Sequence, residues 1–142
     1  MTIVLMAGAS AEAFDVDKAS RKIAAVQQSV EEGLKKPNLD RAAVKVAGDK
    51  LVKVSYLVWD LCVTEKAQEF AAIGNDIGDL ADAVMGACGS LDVRMQRSII
   101  LSAEADETEF TYEDADDVLA KHRRGLRGKA MGVIASERAK HK

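Results

Sequence analysis

Acidic side chains at helical spacing are the residues of this chain whose pattern could do chemistry. The segment NDIGDLADAV places Asp76, Asp79 and Asp82 at i, i+3 and i+6, beside the apolar stripe of one helix. Downstream, EDADDVL sets Glu113 and Asp114 ahead of Asp117, again at helical spacing. On two facing helices, Asp76, Asp79, Asp114 and Asp117 would offer hard oxygen ligands to Mg²⁺, which also leaves room for substrate phosphates. A metal held there would polarise a phosphoryl group and activate water. The plainer reading is that carboxylates flanking an apolar stripe are the solvated face of an ordinary surface helix, with no cofactor.

Other site chemistries find no pattern. The histidines, His122 and His141, lie in the basic C-terminal region, and neither cysteine sits in a local catalytic or zinc-binding motif. His122 reads as a surface histidine near a helix C-terminus. There is no glycine-rich phosphate loop and no Glu-x-x-His pair of the carboxylate di-iron kind. The two aspartate segments together resemble the paired motif of the all-α NTP pyrophosphohydrolases of the MazG-like family, E-E-x-x-E followed by E-x-x-D. That resemblance covers about seventeen residues in two pieces, with Asp in place of Glu at most positions. It implies a Mg²⁺-dependent nucleotide pyrophosphohydrolase, with Asp76, Asp79, Asp114 and Asp117 as ligands and Asp82 as a neighbouring acid.

The elements that must carry these residues are helices. Hydrophobic residues make up 48% of the chain and charged residues 30%, a globular composition, and one proline, Pro37, leaves long segments free to be helical. Asp15 reads as an N-cap for a stripe of Val16, Ala19, Ile23, Val26 and Val30, which Pro37 and Asn38 end. A second helix carries Ala47, Leu51, Val54, Val58 and Leu61, although VKVAGDKLVKVSY also alternates as a hairpin would. Beside that stripe lies another, Val52, Tyr56, Trp59 and Val63, so the C-terminal half of this helix is apolar over about half its circumference. Such a helix belongs at the centre of a bundle or in a subunit interface.

Thr64 is a candidate cap for a third helix through Phe70, Ile77, Leu80 and Val84; the alternative is one long helix continuing from the second. Gly86 and Gly89 close it, and Ser90 can cap a fourth. Residues 104–111 form a polar connector with room for a short strand. Thr111 and Asp114 have the spacing of a capping box for a fifth helix, which Gly125 and Gly128 interrupt before a last weak one. The expectation is all-α: a single helical domain over 1–142, a bundle of four to six helices, with one long central helix as the variant in which the second and third are continuous. An apolar N-terminal arm (1–13, with Ile3, Val4, Leu5 and Met6) and a basic C-terminal tail (121–142) complete it.

Charge is unevenly distributed. Residues 1–117 hold 12 basic and 22 acidic side chains, and residues 118–142 hold 8 basic and 1 acidic. Lys121, Arg123, Arg124, Arg127 and Lys129 follow directly on an acidic run, which suits a helix dipole but also a tail that grips phosphate or an acidic partner. No aromatic is interleaved, so base stacking is not indicated. Cys62 and Cys88, at apolar spacing, read as small buried hydrophobes in a reducing compartment in preference to a disulfide. No segment nears the ~20 apolar residues of a membrane span. The N-terminus lacks the basic region of a signal peptide. The leading expectation is a non-enzymatic cytoplasmic protein, or one inside an assembly such as a virion. It would work by self-association or partner binding, as an adaptor or structural subunit, with Tyr56, Trp59, Val52 and Val63 at the interface. Pyrophosphohydrolase activity and nucleic-acid binding through the tail are the alternatives.

Overall fold

The computed structural model describes residues 14–142, and these form five helices with no strand among them. They are α1 (Val16–Leu34), α2 (Arg41–Phe70), α3 (Ile77–Ala87), α4 (Gly89–Ala105) and α5 (Tyr112–Lys140). The all-α expectation holds, and α2 is the long central helix: it packs against each of the other four. The apolar arm, residues 1–13, lies outside the described residues.

Local chemistry sets most of the helix starts. Asp15 accepts from the Lys18 amide at 2.9 Å and Asp40 from the Ala43 amide at 3.2 Å, while Asp76 accepts from Gly78 at 2.8 Å. Each satisfies an amide that the first turn leaves without a helical partner. The capping box at α5 forms in both directions: the Asp114 amide donates to the Thr111 hydroxyl at 3.1 Å, and the Thr111 amide donates to the Asp114 carboxylate at 2.9 Å.

Three sequence expectations are corrected. Thr64 caps nothing; it sits inside α2, and its hydroxyl donates back to the Asp60 carbonyl at 3.0 Å. Ser90 lies within α4, whose N-cap, Cys88, makes no side-chain capping bond. Gly125 and Gly128 do not break α5. Each glycine costs about 1 kcal/mol of helix propensity, which the burial of Ala115, Leu119, Leu126, Ala130 and Ile134 along one face outweighs. Neither the 44–63 segment nor the 104–111 connector contains strand.

The core runs along the inner face of α2. Gly48, Leu51, Ser55, Trp59, Cys62, Val63 and Ala67 are its buried residues. Gly48 permits the approach of α4: a Cβ there would stand 3.1 Å from the Ser102 Cα. Two turns further along α2, the Ser55 and Ser98 hydroxyls meet at 2.8 Å, and Gln27 of α1 donates to Ser98 at 3.0 Å and to the Arg94 carbonyl at 2.7 Å. These bonds satisfy polar groups that would otherwise be costly to bury. The Trp59 indole N–H has no hydrogen-bond partner among the described residues. Leaving it unpaired costs on the order of 1–3 kcal/mol, which the burial of the large ring offsets.

The two cysteines are joined. Cys62 of α2 and Cys88, at the α3–α4 junction, form a disulfide with Cα atoms 6.1 Å apart, fully buried in the core. This overturns the reading of two free thiols. Their spacing along the chain carries no signal of pairing, because the partners meet only after α3 has folded back along α2. The bond closes a loop of 26 residues. Replacing both cysteines by alanine is expected to lower unfolding stability by about 3 kcal/mol in urea titration; an unchanged midpoint would contradict the cross-link.

Candidate protein-interaction face

Both charge-based expectations dissolve into the bundle. The basic segment is not a tail but the C-terminal two-thirds of α5, and three of its five predicted cations turn to acids of other helices. Arg123 grips Asp92 of α4 in a two-pronged pair at 2.7 and 2.9 Å and also reaches Asp116 at 2.6 Å. Those bonds, with Asp92 foremost, raise the guanidinium pKa further above its already high value. Arg127 binds Asp82 of α3 at 2.7 Å, and Lys129 binds Asp60 of α2 at 2.8 Å. Arg138 donates to the carbonyls of Ala71, Ile73 and Asn75, so it closes the turn after α2. Lys121 and Arg124 are exposed and form no salt bridge among the described residues. The abrupt sign change along the chain is therefore largely an internal complement, α5 against α2, α3 and α4.

The four aspartates of the metal reading do not converge. Asp76 caps α3, and Asp114 closes the capping box of α5. Asp79 and Asp117 are exposed, each on its own helix. No three His, Cys, Asp or Glu side chains among the described residues are grouped to hold a metal ion. The nearby Asp82 is held by Arg127.

The predicted interface set splits in two. Trp59 and Val63 are wholly buried inside the subunit, so they cannot meet a partner, which corrects that assignment. Val52 and Tyr56 are half-buried on the flank of α2. Tyr56 carries a contact that the sequence did not reveal: its hydroxyl lies 2.8 Å from Nδ1 of His122, with the two rings 4.5 Å apart. His122 is thus a mid-helix residue of α5 docked on α2, and not a terminal surface histidine.

What does face outward is a different stripe of α2. Val54, Leu57 and Leu61 are 42%, 65% and 48% exposed. At 100° per residue they lie within about 60° of one another, opposite the Ser55–Trp59 face. Open grooves flank this ridge. One, of about 770 Å³, runs between α1 and α2 over Ile23, Val26, Leu51, Val54 and Val58 and bears Lys18, Lys22 and Lys50. The other, of about 590 Å³, lies between α2, α4 and α5, with Val52, Leu57, Met95, Ile99, Val118 and His122 in its walls. Val26 of α1 and Val118 of α5 are themselves about half exposed, so the apolar surface crosses three helices. A contiguous apolar surface of this kind, edged by charge, is the usual mark of a docking site. The fold divides both apolar stripes of α2: Leu51 of one and Trp59 and Val63 of the other turn inward, while Val54 and Leu61 turn outward; the small residues Gly48 and Ser55, which admit α4, are the clue that the sequence offers.

No protein-family model, no curated protein and no solved structure matches this chain.

The acid groups make a pH prediction. Hydrogen bonds from Arg127 to Asp82, and from the Thr111 backbone and hydroxyl to Asp114, hold both carboxyls below the usual carboxylate range. A folded pKa below the unfolded one gives stability that is complete above the unfolded value, roughly pH 4, and lost as pH falls through the folded value. The melting-temperature deficits of Asp82→Asn and Asp114→Asn should accordingly shrink as pH is lowered from 6 to about 3. A deficit that does not change with pH would contradict this.

Proposed function

We propose that this chain is a non-enzymatic helical assembly or adaptor protein that acts by burying the outer face of α2 against another protein. One observation carries the reading: Leu57, a large aliphatic residue in the middle of the longest central helix, is 65% exposed. Covering Leu57, Leu61 and Val54 would be favourable by on the order of 1 kcal/mol each. The rim supplies charge for orientation, through Lys50 and Lys53 before the ridge and Glu65 after it. The pyrophosphohydrolase reading loses its support with the dispersal of the aspartates. The nucleic-acid reading is weakened because Arg123, Arg127 and Lys129 already have acidic partners.

No helix among the described residues is long and apolar enough to cross a membrane. The cytoplasmic placement expected from the sequence has less behind it now that Cys62 and Cys88 are joined, since disulfides persist mainly in oxidising surroundings. The interior of an assembly accommodates a buried, fully shielded disulfide without difficulty.

A photo-crosslinking side chain at position 54, read in the organism that makes the protein, should form adducts with another polypeptide, a second copy included. The same probe at the exposed Ala135 of α5 should not. The double variant L57E/L61E should abolish the adducts while leaving urea stability within roughly 0.5 kcal/mol, as surface changes usually do. An absence of adducts from position 54 would contradict the proposal.

A further inference from the structure

Resting on that reading, we infer that the partner of the α2 face is a second copy of this chain, with its own α2 laid antiparallel across the first about Leu57. The argument comes from how charge is arranged along the ridge. The ridge repeats at threes and fours, Ala47, Lys50, Val54, Leu57, Leu61, Thr64 and Gln68, the seam spacing of two packed helices. Apolar residues occupy its middle, with Lys50 before them and Thr64 and Gln68 after. Lys50 and Lys53 stand on the N-terminal side of Leu57, and Glu65 stands on the C-terminal side; all three are exposed. None of them takes part in a salt bridge among the described residues, although their neighbours Lys45, Asp60 and Lys66 do.

This arrangement decides the direction of pairing. A parallel pair would set Lys50 beside Lys50 and Glu65 beside Glu65, and like charges so placed repel. An antiparallel pair with its twofold axis near Leu57 sets Val54 against Leu61 of the other copy and brings Lys50 to Glu65, twice by symmetry. It also opposes the two helix dipoles favourably. A twofold contact uses one patch on both subunits, so a ridge that is complementary to itself end for end is what such a dimer requires.

The flanks fit the same geometry. Val26 on one side and Val118 on the other widen the apolar strip beyond a single helix. From Lys50 to Gln68 the ridge is roughly 27 Å long at 1.5 Å per residue. With neighbouring helices about 9 Å away on either side, the footprint is of the same order as the ~800 Å² per partner that stable interfaces bury. The contact closes on itself, so the assembly stops at two copies.

Charge reversal tests both the partner and the direction. Sedimentation velocity on the purified chain should give a dimer whose dissociation constant rises at least tenfold in K50E and in E65K. An equimolar mixture of the K50E and E65K chains should recover the dimer, because each reversed end then meets its opposite. Circular dichroism of each variant, and L57E as a second disruptor at an exposed site, separate lost contact from lost folding. A chain that stays monomeric at several hundred micromolar, one that forms larger species, a dimer indifferent to all three substitutions, or single variants that fail to recover on mixing would each overturn the inference. In the monomeric case, adducts from position 54 to a different polypeptide would leave the broader proposal standing, and no adducts at all would remove both.

Discussion

The close approach of α2 to α4 governs the rest of the structure. Gly48 offers no side chain where α4 brings the Ser102 backbone, and Ser55, two turns on, shares a hydrogen bond with Ser98. Small residues on both helices allow the backbones to come near, and the shared hydroxyls leave little buried polarity unsatisfied. Once that face of α2 is committed inward, the rotation of the whole thirty-residue helix is fixed. Trp59, Cys62 and Val63 follow it into the core, and Val54, Leu57 and Leu61 have no place left but the surface.

The other helices consolidate this rotation. The Cys62–Cys88 disulfide fastens the inner face of α2 to the α3–α4 junction. From the far side, α5 locks the arrangement with ion pairs to three different helices, and with the Tyr56–His122 contact on the flank of α2. Isolated surface ion pairs contribute little, but Arg123 is less exposed and doubly bonded to Asp92. These pairs choose where α5 docks more than they add to stability.

Much of the architecture was legible in the residues. The caps at Asp15 and Thr111 and the break at Pro37 are local or nearly local effects, and the sequence states them directly. Two kinds of feature were not legible. Burial direction on a helix with two apolar stripes depends on the partner's shape, so the pattern alone puts Trp59 and Val63 at an interface when they are core. Long-range pairings, such as Cys62 with Cys88, Asp82 with Arg127 and Tyr56 with His122, depend on which helices become neighbours. The aspartate motif misleads for a related reason: its spacing offers Asp76 and Asp114 as free ligands, whereas each is engaged as a helix cap.

The central claim is that α2 presents Leu57, and not Trp59, to its partner. Trp59 is the single tryptophan of the chain, so its fluorescence reports that orientation without any substitution. Iodide quenching should be weak, and equally weak, from nanomolar to high micromolar protein, with emission blue-shifted throughout, because the indole is buried within one subunit. Strong quenching in dilute solution that disappears on concentration would place Trp59 at the interface and contradict the account.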